Sequence, residues 1–229
     1  MIFPTTLNQN FMVRKLVIWG TGGHALVVAD IIRLGGEYEI VGFLSDSDSS
    51  HYGSNFCKAP ILGGREQLDN LISEGVKYLI LGIGDCLTRL ELAELARLKG
   101  LSLATAIHPR AVVASSASIA AGTVITAGAV INPSAKIGSN VIINTCASVD
   151  HESIIKDGVH IGPGVHLAGK VTIGRATWIG IGATVVDRVR VGSGTLIGAG
   201  AVVVNDIPDN VVAYGVPARV IREIVKNVN

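Results

Sequence analysis

From Ile107 to Val203 every sixth residue is aliphatic. The unbroken series is Ile107, Val113, Ile119, Ile125, Ile131, Ile137, Ile143, Val149, Ile155, Ile161, Leu167, Ile173, Ile179, Val185, Val191, Ile197 and Val203. If about one residue in three is aliphatic, such a run arises by chance with a probability on the order of 10⁻⁸. Four residues beyond each anchor sits a second, mostly small residue, beginning Ala111, Ala117, Thr123, Ala129 and Ala135. A helix repeats every 3.6 residues and a strand every 2, so a period of six belongs to neither alone. It predicts a parallel β-helix built from hexapeptides. Each hexapeptide forms one face, three faces make a coil, and residues 18 apart stack. Calling the anchor i, positions i and i+4 point inward, i+1 and i+5 outward, and i+2 and i+3 turn the corner. Gly122, Gly128, Asn140, Gly158, Gly164, Gly194 and Gly200 fall at the corners, where tight turns favour them.

Residues 14–106 follow a different rhythm. Lys15–Trp19 reads as a buried strand, followed by Gly20-Thr21-Gly22-Gly23-His24 and a helix from Ala25 to about Leu34. Tyr38–Leu44 is a second strand ending at Ser45-Asp46. A polar stretch rich in Gly and Ser then leads to a helix near Arg65–Ser73. Val76–Ile83 is a third strand ending at Gly84-Asp85, Leu87–Leu98 has helical spacing, and Leu101–Ala106 is a short strand entering the repeats. Strands alternating with helices predict a Rossmann-like parallel α/β domain. Its ligand side is the carboxyl ends of the strands, where Gly20–His24, Ser45-Asp46 and Gly84-Asp85 converge. The organisation expected is an extension over 1–13, the α/β domain over 14–106, the β-helix over 107–207 and a tail over 208–229. Met12 reads as a second possible start.

Composition narrows the function classes. A net charge of +1 argues against nucleic acid as a partner. The apolar runs are broken by Gly and polar residues, so no membrane span is expected. Cys57, Cys86 and Cys146 have no metal spacing, which points to a reduced, cytoplasmic setting and no metal. The first residues lack the basic-then-apolar order of a signal peptide.

Two regions carry candidate chemistry. The glycine loop offers backbone N–H groups to a phosphate at a helix N-terminus, though a tight strand-to-helix turn needs glycine in any case. The dinucleotide fingerprint is incomplete, since only Ala25 stands where its last small residue belongs. A nucleotide-sugar fits this short domain better than NAD. In the repeats, Asp150-His151-Glu152 puts an imidazole at a corner between two carboxylates, with Gly169 stacked 18 residues later. Flanking carboxylates can fix a histidine tautomer and support its charged form. His160 and His166 occupy outward positions on two different faces. If His160 and His151 serve one site, they come from neighbouring chains. Outward apolar residues such as Val130 and Val186 likewise predict faces buried between chains.

These pieces resemble the bacterial sugar acyltransferases of the hexapeptide-repeat superfamily. The matching segments are Val17-Ile18-Trp19-Gly20-Thr21-Gly22-Gly23-His24, Gly42-Phe43-Leu44-Ser45-Asp46, Ile143-Asn144-Thr145, His151-Glu152, Gly162-Pro163-Gly164 and Tyr214-Gly215-Val216-Pro217-Ala218-Arg219. The likeness is nearest to N-acetyltransferases of UDP-4-amino-4,6-dideoxy sugars and of GDP-perosamine, with sialic acid O-acetyltransferases as relatives. It implies a left-handed β-helix, a homotrimer and acetyl-CoA as cosubstrate. His151 is implied as general base and Glu152 as its orienting partner, with Asp150 a competitor for that role. Asn144 is implied to contact the acceptor sugar, and Gly22, Gly23, His24 and Asp46 to hold the nucleotide-sugar. His160, Gly169 and Ile181 are implied to hold the pantetheine and thioester, and Pro217, Ala218 and Arg219 to lie near adenine. Ser45-Asp46 stands where some relatives have two acidic residues, which leaves uracil and guanine both open. Three readings compete: an O-acetyltransferase, a carbonic-anhydrase-type zinc hydratase using His151, His160 and His166, and a non-catalytic scaffold.

Overall fold

The computed structural model describes residues 13–46 and 49–225. Apart from Val13, the extension expected over 1–13 lies outside the described residues, as do Met12 and the last four residues of the tail.

The N-terminal part is a six-stranded sheet with helices against it. Its elements are β1 (Arg14–Trp19), α1 (Gly23–Gly35), β2 (Tyr38–Leu44), β3 (Asn55–Phe56), β4 (Ala59–Gly63), α2 (Leu68–Ser73), β5 (Tyr78–Leu81), α3 (Cys86–Leu98) and β6 (Ser102–Leu103). The sheet order is β3-β4-β2-β1-β5-β6, parallel except for β3 against β4. Leu16, Val17, Ile18 and Trp19 are all buried, because β1 lies inside the sheet with cores on both faces. Two details depart from the sequence reading. The polar stretch after Asp46 is not all loop, since β4 adds to the sheet beside β2. The helix near Arg65–Ser73 opens as a 3₁₀ turn over Arg65–Gln67 before α2.

β7 (Ala106–Ile107) begins the coils. Parallel pairing joins residues 18 apart throughout, as in Val124↔Ile142, Ile142↔His160 and His160↔Trp178. Three faces result. Face I carries β7, Val124–Ile125, Ile142–Ile143, His160–Ile161, Trp178–Ile179 and Leu196–Ile197. Face II carries Val112–Val113, Val130–Ile131, Ser148–Val149, His166–Leu167, Thr184–Val185 and Val202–Val203. Face III carries Ser118–Ile119, Lys136–Ile137, Ile154–Ile155, Thr172–Ile173 and Arg190–Val191. From Ile125 to Val203 every anchor is buried. Each such side chain contributes roughly 1.5–3 kcal/mol of burial. The first coil departs from this rule: Ile107 is 40% exposed and Val113 and Ile119 are half-buried, because no coil closes the prism beneath them.

Some small inward residues do more than fill space. Thr177 Oγ1 donates to Gly192 O (2.6 Å) and accepts from Thr195 N (3.2 Å). Thr123, Ser153 and Thr195 each bond the backbone in the same two ways. These hydroxyls satisfy carbonyl and amide groups that would otherwise be buried unpaired.

At the far end Val211–Gly215 continues face I in parallel on Leu196–Ile197, and Ala218–Glu223 returns antiparallel to it. The expected tail therefore starts as part of the stack. Helices α1 and α3 of the α/β domain sit against the lower part of face I, where Val124, Ile142 and His160 are buried although their side chains point out of the prism. No helix among the described residues is long and apolar enough to cross a membrane.

Candidate functional site

A cleft of about 570 Å³ opens at the carboxyl ends of β1, β2 and β5. Its lining includes Trp19, Gly20–His24, Ser45, Asp46, Arg65 and Gly84, so the three loops converge as the strand pattern requires. Gly20 has φ of +133°, and a Cβ there would lie 2.6 Å from Gly82 O. Only glycine lets the end of β1 pass so close to the segment after β5. Helix α1 starts at Gly23 with no acidic residue in its first turn, leaving its positive end open to an anion.

Two buried polar atoms of the cleft-lining residues, Trp19 Nε1 and His24 Nε2, have no hydrogen-bond partner among the described residues. Burial lowers the His24 pKa to about 3, with His160 and Arg89 adding to the effect, so the ring is neutral. Asp46 is already engaged: Oδ1 accepts from Arg65 N (2.8 Å) and Oδ2 from Arg65 Nη2 (3.0 Å). The sequence reading missed Arg65, which lies 19 residues away on the turn before α2.

The second cluster stands at the corner between faces II and III. His151 Nδ1 lies 3.2 Å from Glu152 Oε2, and Lys170 Nζ lies 3.2 Å from the same oxygen. Hydrogen bonds from Lys170 and then His151 hold the Glu152 carboxyl below its usual range. Asp150 Oδ1 instead accepts from His151 N (2.6 Å) and Asn132 Nδ2 (3.0 Å). Glu152 thus faces the ring, while Asp150 fixes the backbone beneath it. A Cβ on Gly169 would lie 2.6 Å from His151 Nε2. The glycine one coil above is the space in which the imidazole sits.

His160 is not at the surface. It is buried beneath the chain's own α/β domain, stacked on Trp178 with ring centroids 4.4 Å apart. Its Nδ1 is 3.2 Å from Gly84 O and its Nε2 is 3.3 Å from Asn144 Nδ2. Burial lowers its pKa to about 4. Within one chain its neighbours are thus Gly84, Asn144 and Trp178 rather than open solvent. Ile181 is exposed at the corner between faces I and II, two coils above Thr145, while Gly169 lies at the other edge of face II. Tyr214, Val216 and Arg219 are exposed around the terminal hairpin's turn and Pro217 and Ala218 complete it.

The candidate residues thus fall in two groups. Trp19, His24, Asp46, His160 and Asn144 lie around the cleft and face I. His151, Glu152 and Gly169 lie across face II from them. No three His, Cys, Asp or Glu side chains among the described residues converge as a metal group. His160 has both ring nitrogens engaged inside the chain, so it does not complete a three-histidine set with His151 and His166.

The chain matches the PglD N-terminal domain family over residues 15–96 and the bacterial transferase hexapeptide family over residues 170–205. Its fold superposes on PerB of Caulobacter crescentus, solved with CoA and GDP-perosamine, with a TM-score of 0.87 and 39% identity. That match covers 92% of this chain and 98% of PerB. The acetyltransferase domain of PglB from Neisseria gonorrhoeae, solved with acetyl coenzyme A, matches with a TM-score of 0.85 and 40% identity. There the coverage is 91% of this chain and 99% of the other. The chain belongs to the hexapeptide-repeat sugar acetyltransferases. Membership makes the prism a left-handed parallel β-helix and the protein an acyltransferase. WeeI of Acinetobacter baumannii, 22% identical with a TM-score of 0.81, shares this acetyltransferase's fold. No curated protein sequence matches the chain.

Proposed function

We propose that this acetyltransferase moves an acetyl group from acetyl-CoA to the amine of a nucleotide-linked 4-amino-4,6-dideoxy sugar. The observation that carries the reading is the pairing of a cleft suited to a nucleotide diphosphate with a histidine–glutamate pair on the prism. The cleft supplies an anion-facing helix start and two unpaired polar atoms at Trp19 and His24. Those features suit a phosphate and a ribose or base, neither of which free sialic acid carries. The resemblance to PerB and PglB supports the same substrate class and acetyl-CoA as its acyl donor.

The chemistry follows from the groups present. The amine nitrogen attacks the thioester carbonyl carbon while His151 Nε2 takes its proton. Glu152, facing Nδ1, fixes the tautomer and supports the imidazolium. The C–S bond then breaks and His151 returns the proton to the departing thiolate. No nucleophilic serine or cysteine is needed, so transfer is direct.

The separation of the two groups supports an oligomer. Of the two faces left bare by the α/β domain, face II is the more apolar, with Val112, Val130 and Val202 among outward residues that also include Ser148, His166 and Thr184, whereas face III presents Ser118, Lys136, Ile154, Thr172 and Arg190. Three chains packed through face II around an axis bring the Asn144 edge of one against the His151 edge of the next. In that trimer Gly169 of one chain and Ile181 of its neighbour border the acetyl-CoA channel, with Pro217-Ala218-Arg219 at its far end. Acetyl-CoA and nucleotide-sugars place the work in the cytoplasm. The test is turnover against a panel of UDP- and GDP-linked 4-amino sugars, with free sialic acid as the contrasting acceptor. Acetylation of sialic acid alone would overturn the reading.

A further inference from the structure

We infer that Arg89 is a positioning residue that holds the cleft rim, His160 and Asn144 as one unit, acting through the Gly84 carbonyl. The inference rests on the acceptor-site reading above. Arg89 is 1% exposed, and besides the attraction of Asp85 and the Cys86 thiol nearby its guanidinium is held by main-chain groups. Its partners are carbonyls of both domains. Nε donates to Asn140 O (2.9 Å) and Nη2 to Gly158 O (2.8 Å) and Val159 O (3.3 Å), all on the prism. Nη1 donates to Ile83 O (3.0 Å), Gly84 O (2.7 Å) and Asp85 O (3.2 Å), all on the loop after β5 that borders the cleft. A buried charge is a poor way to add stability, because apolar side chains join two surfaces at lower desolvation cost. What a rigid, planar fork adds is direction.

That direction passes to the prism corner. Asn144 Oδ1 accepts from Thr145 N (2.8 Å), so its Nδ2 is the donor toward His160 Nε2 (3.3 Å). His160 Nε2 is therefore the acceptor, and the proton sits on Nδ1, which donates to Gly84 O (3.2 Å). Gly84 O receives both Arg89 and His160. Trp178 closes the ring's other side by stacking. A shift of the Gly84 loop moves the His160 ring, and with it the Asn144 amide.

The test combines kinetics with imaging of the imidazole. Arg89→Lys keeps the charge but removes the fork, and His160→Phe keeps the stack on Trp178 but removes both hydrogen bonds. Each is expected to lower kcat roughly tenfold or more and to raise the nucleotide-sugar KM, with acetyl-CoA KM unchanged. In an Asn144→Ala background the same changes should add little, because they act through Asn144. Full additivity, or a shift in acetyl-CoA KM instead, overturns the inference. Nitrogen-15 NMR of histidine-labelled, full-length wild-type protein should show His160 with the proton on Nδ1, and Arg89→Lys should lose that signature. An unchanged signature overturns the inference. This arm does not depend on turnover, so a wild type that acetylates no amino-sugar nucleotide defeats the functional reading alone. If Arg89→Lys does not fold, His160→Phe and the wild-type tautomer still decide.

Discussion

His151 has one ring nitrogen facing Glu152 and the other lying against Gly169, one coil above. Removing the base with His151→Ala should lower turnover by roughly 10²–10⁴-fold, measured as kcat in steady state with the oligomer intact. Glu152→Gln should cost less, since it leaves the base in place. Gly169→Ala is the more specific probe, because its methyl group would occupy the position of the ring. It should lower kcat with little change in thermal midpoint, and a normal kcat would show that the ring works from another position. The His151 corner stood out as a candidate because a histidine between carboxylates is unusual in an apolar repeat. Which carboxylate faces the ring was not legible, since spacing alone gives Asp150 and Glu152 equal claims. The outward position of His160 was read correctly from the period. Its burial was not, because a repeat pattern does not tell which face another domain covers.

At the scale of elements, the hydroxyl-bearing inward residues and the junction histidines set separate expectations. Thr177→Val should destabilise the prism by roughly 1–3 kcal/mol in chemical denaturation, because Gly192 O and Thr195 N lose their partner. Thr177→Ser should cost clearly less. The junction should make stability depend on pH. His24 and His160 titrate near 3 and 4 when folded and near 6.5 when unfolded. Between those values the unfolded chain binds more protons, so stability rises with pH there. Full stability is present above about pH 6.5 and falls on acidification toward pH 4. His160→Gln should flatten that slope in a series of denaturation midpoints, and an unchanged slope would assign the dependence elsewhere. The strands of the β-helix were legible because each coil repeats the same requirement. β4 was not, as Pro60 within Ala59-Pro60-Ile61-Leu62-Gly63 and the Gly63-Gly64 pair at its end obscure the alternation. Arg89 was also hidden, since an arginine on an amphipathic helix ordinarily reads as a solvated residue.

For the whole molecule, the proposed trimer makes a quantitative expectation. An Asn144→Ala chain and a His151→Ala chain should each be nearly inactive alone. Co-refolded in equal amounts, they should recover up to about a quarter of wild-type activity, because one junction in four then joins an intact Asn144 edge to an intact His151 edge. Recovery near zero in verified mixed trimers would place the whole site within one chain. Sedimentation of the wild type should report three chains at micromolar concentration, and a monomer would contradict the shared-site arrangement. The division was foreseeable from the period, which puts His151 and His160 at unrelated angles around the axis. Face II as the proposed contact was not, because it depends on which faces the α/β domain leaves bare.

A stack in which each coil is the template for the next has no built-in length. Its last edge offers backbone N–H and C=O groups to any passing strand, including the open first coil of another molecule, where Ile107 is already 40% exposed. The strand Ala218–Glu223 covers that edge on face I. It reverses direction and closes face I with Arg219, Arg222 and Glu223 along its length. Charged side chains on a reversed edge strand are poor partners for further pairing. The terminal hairpin thus ends the stack on face I with an edge poorly suited to the next molecule.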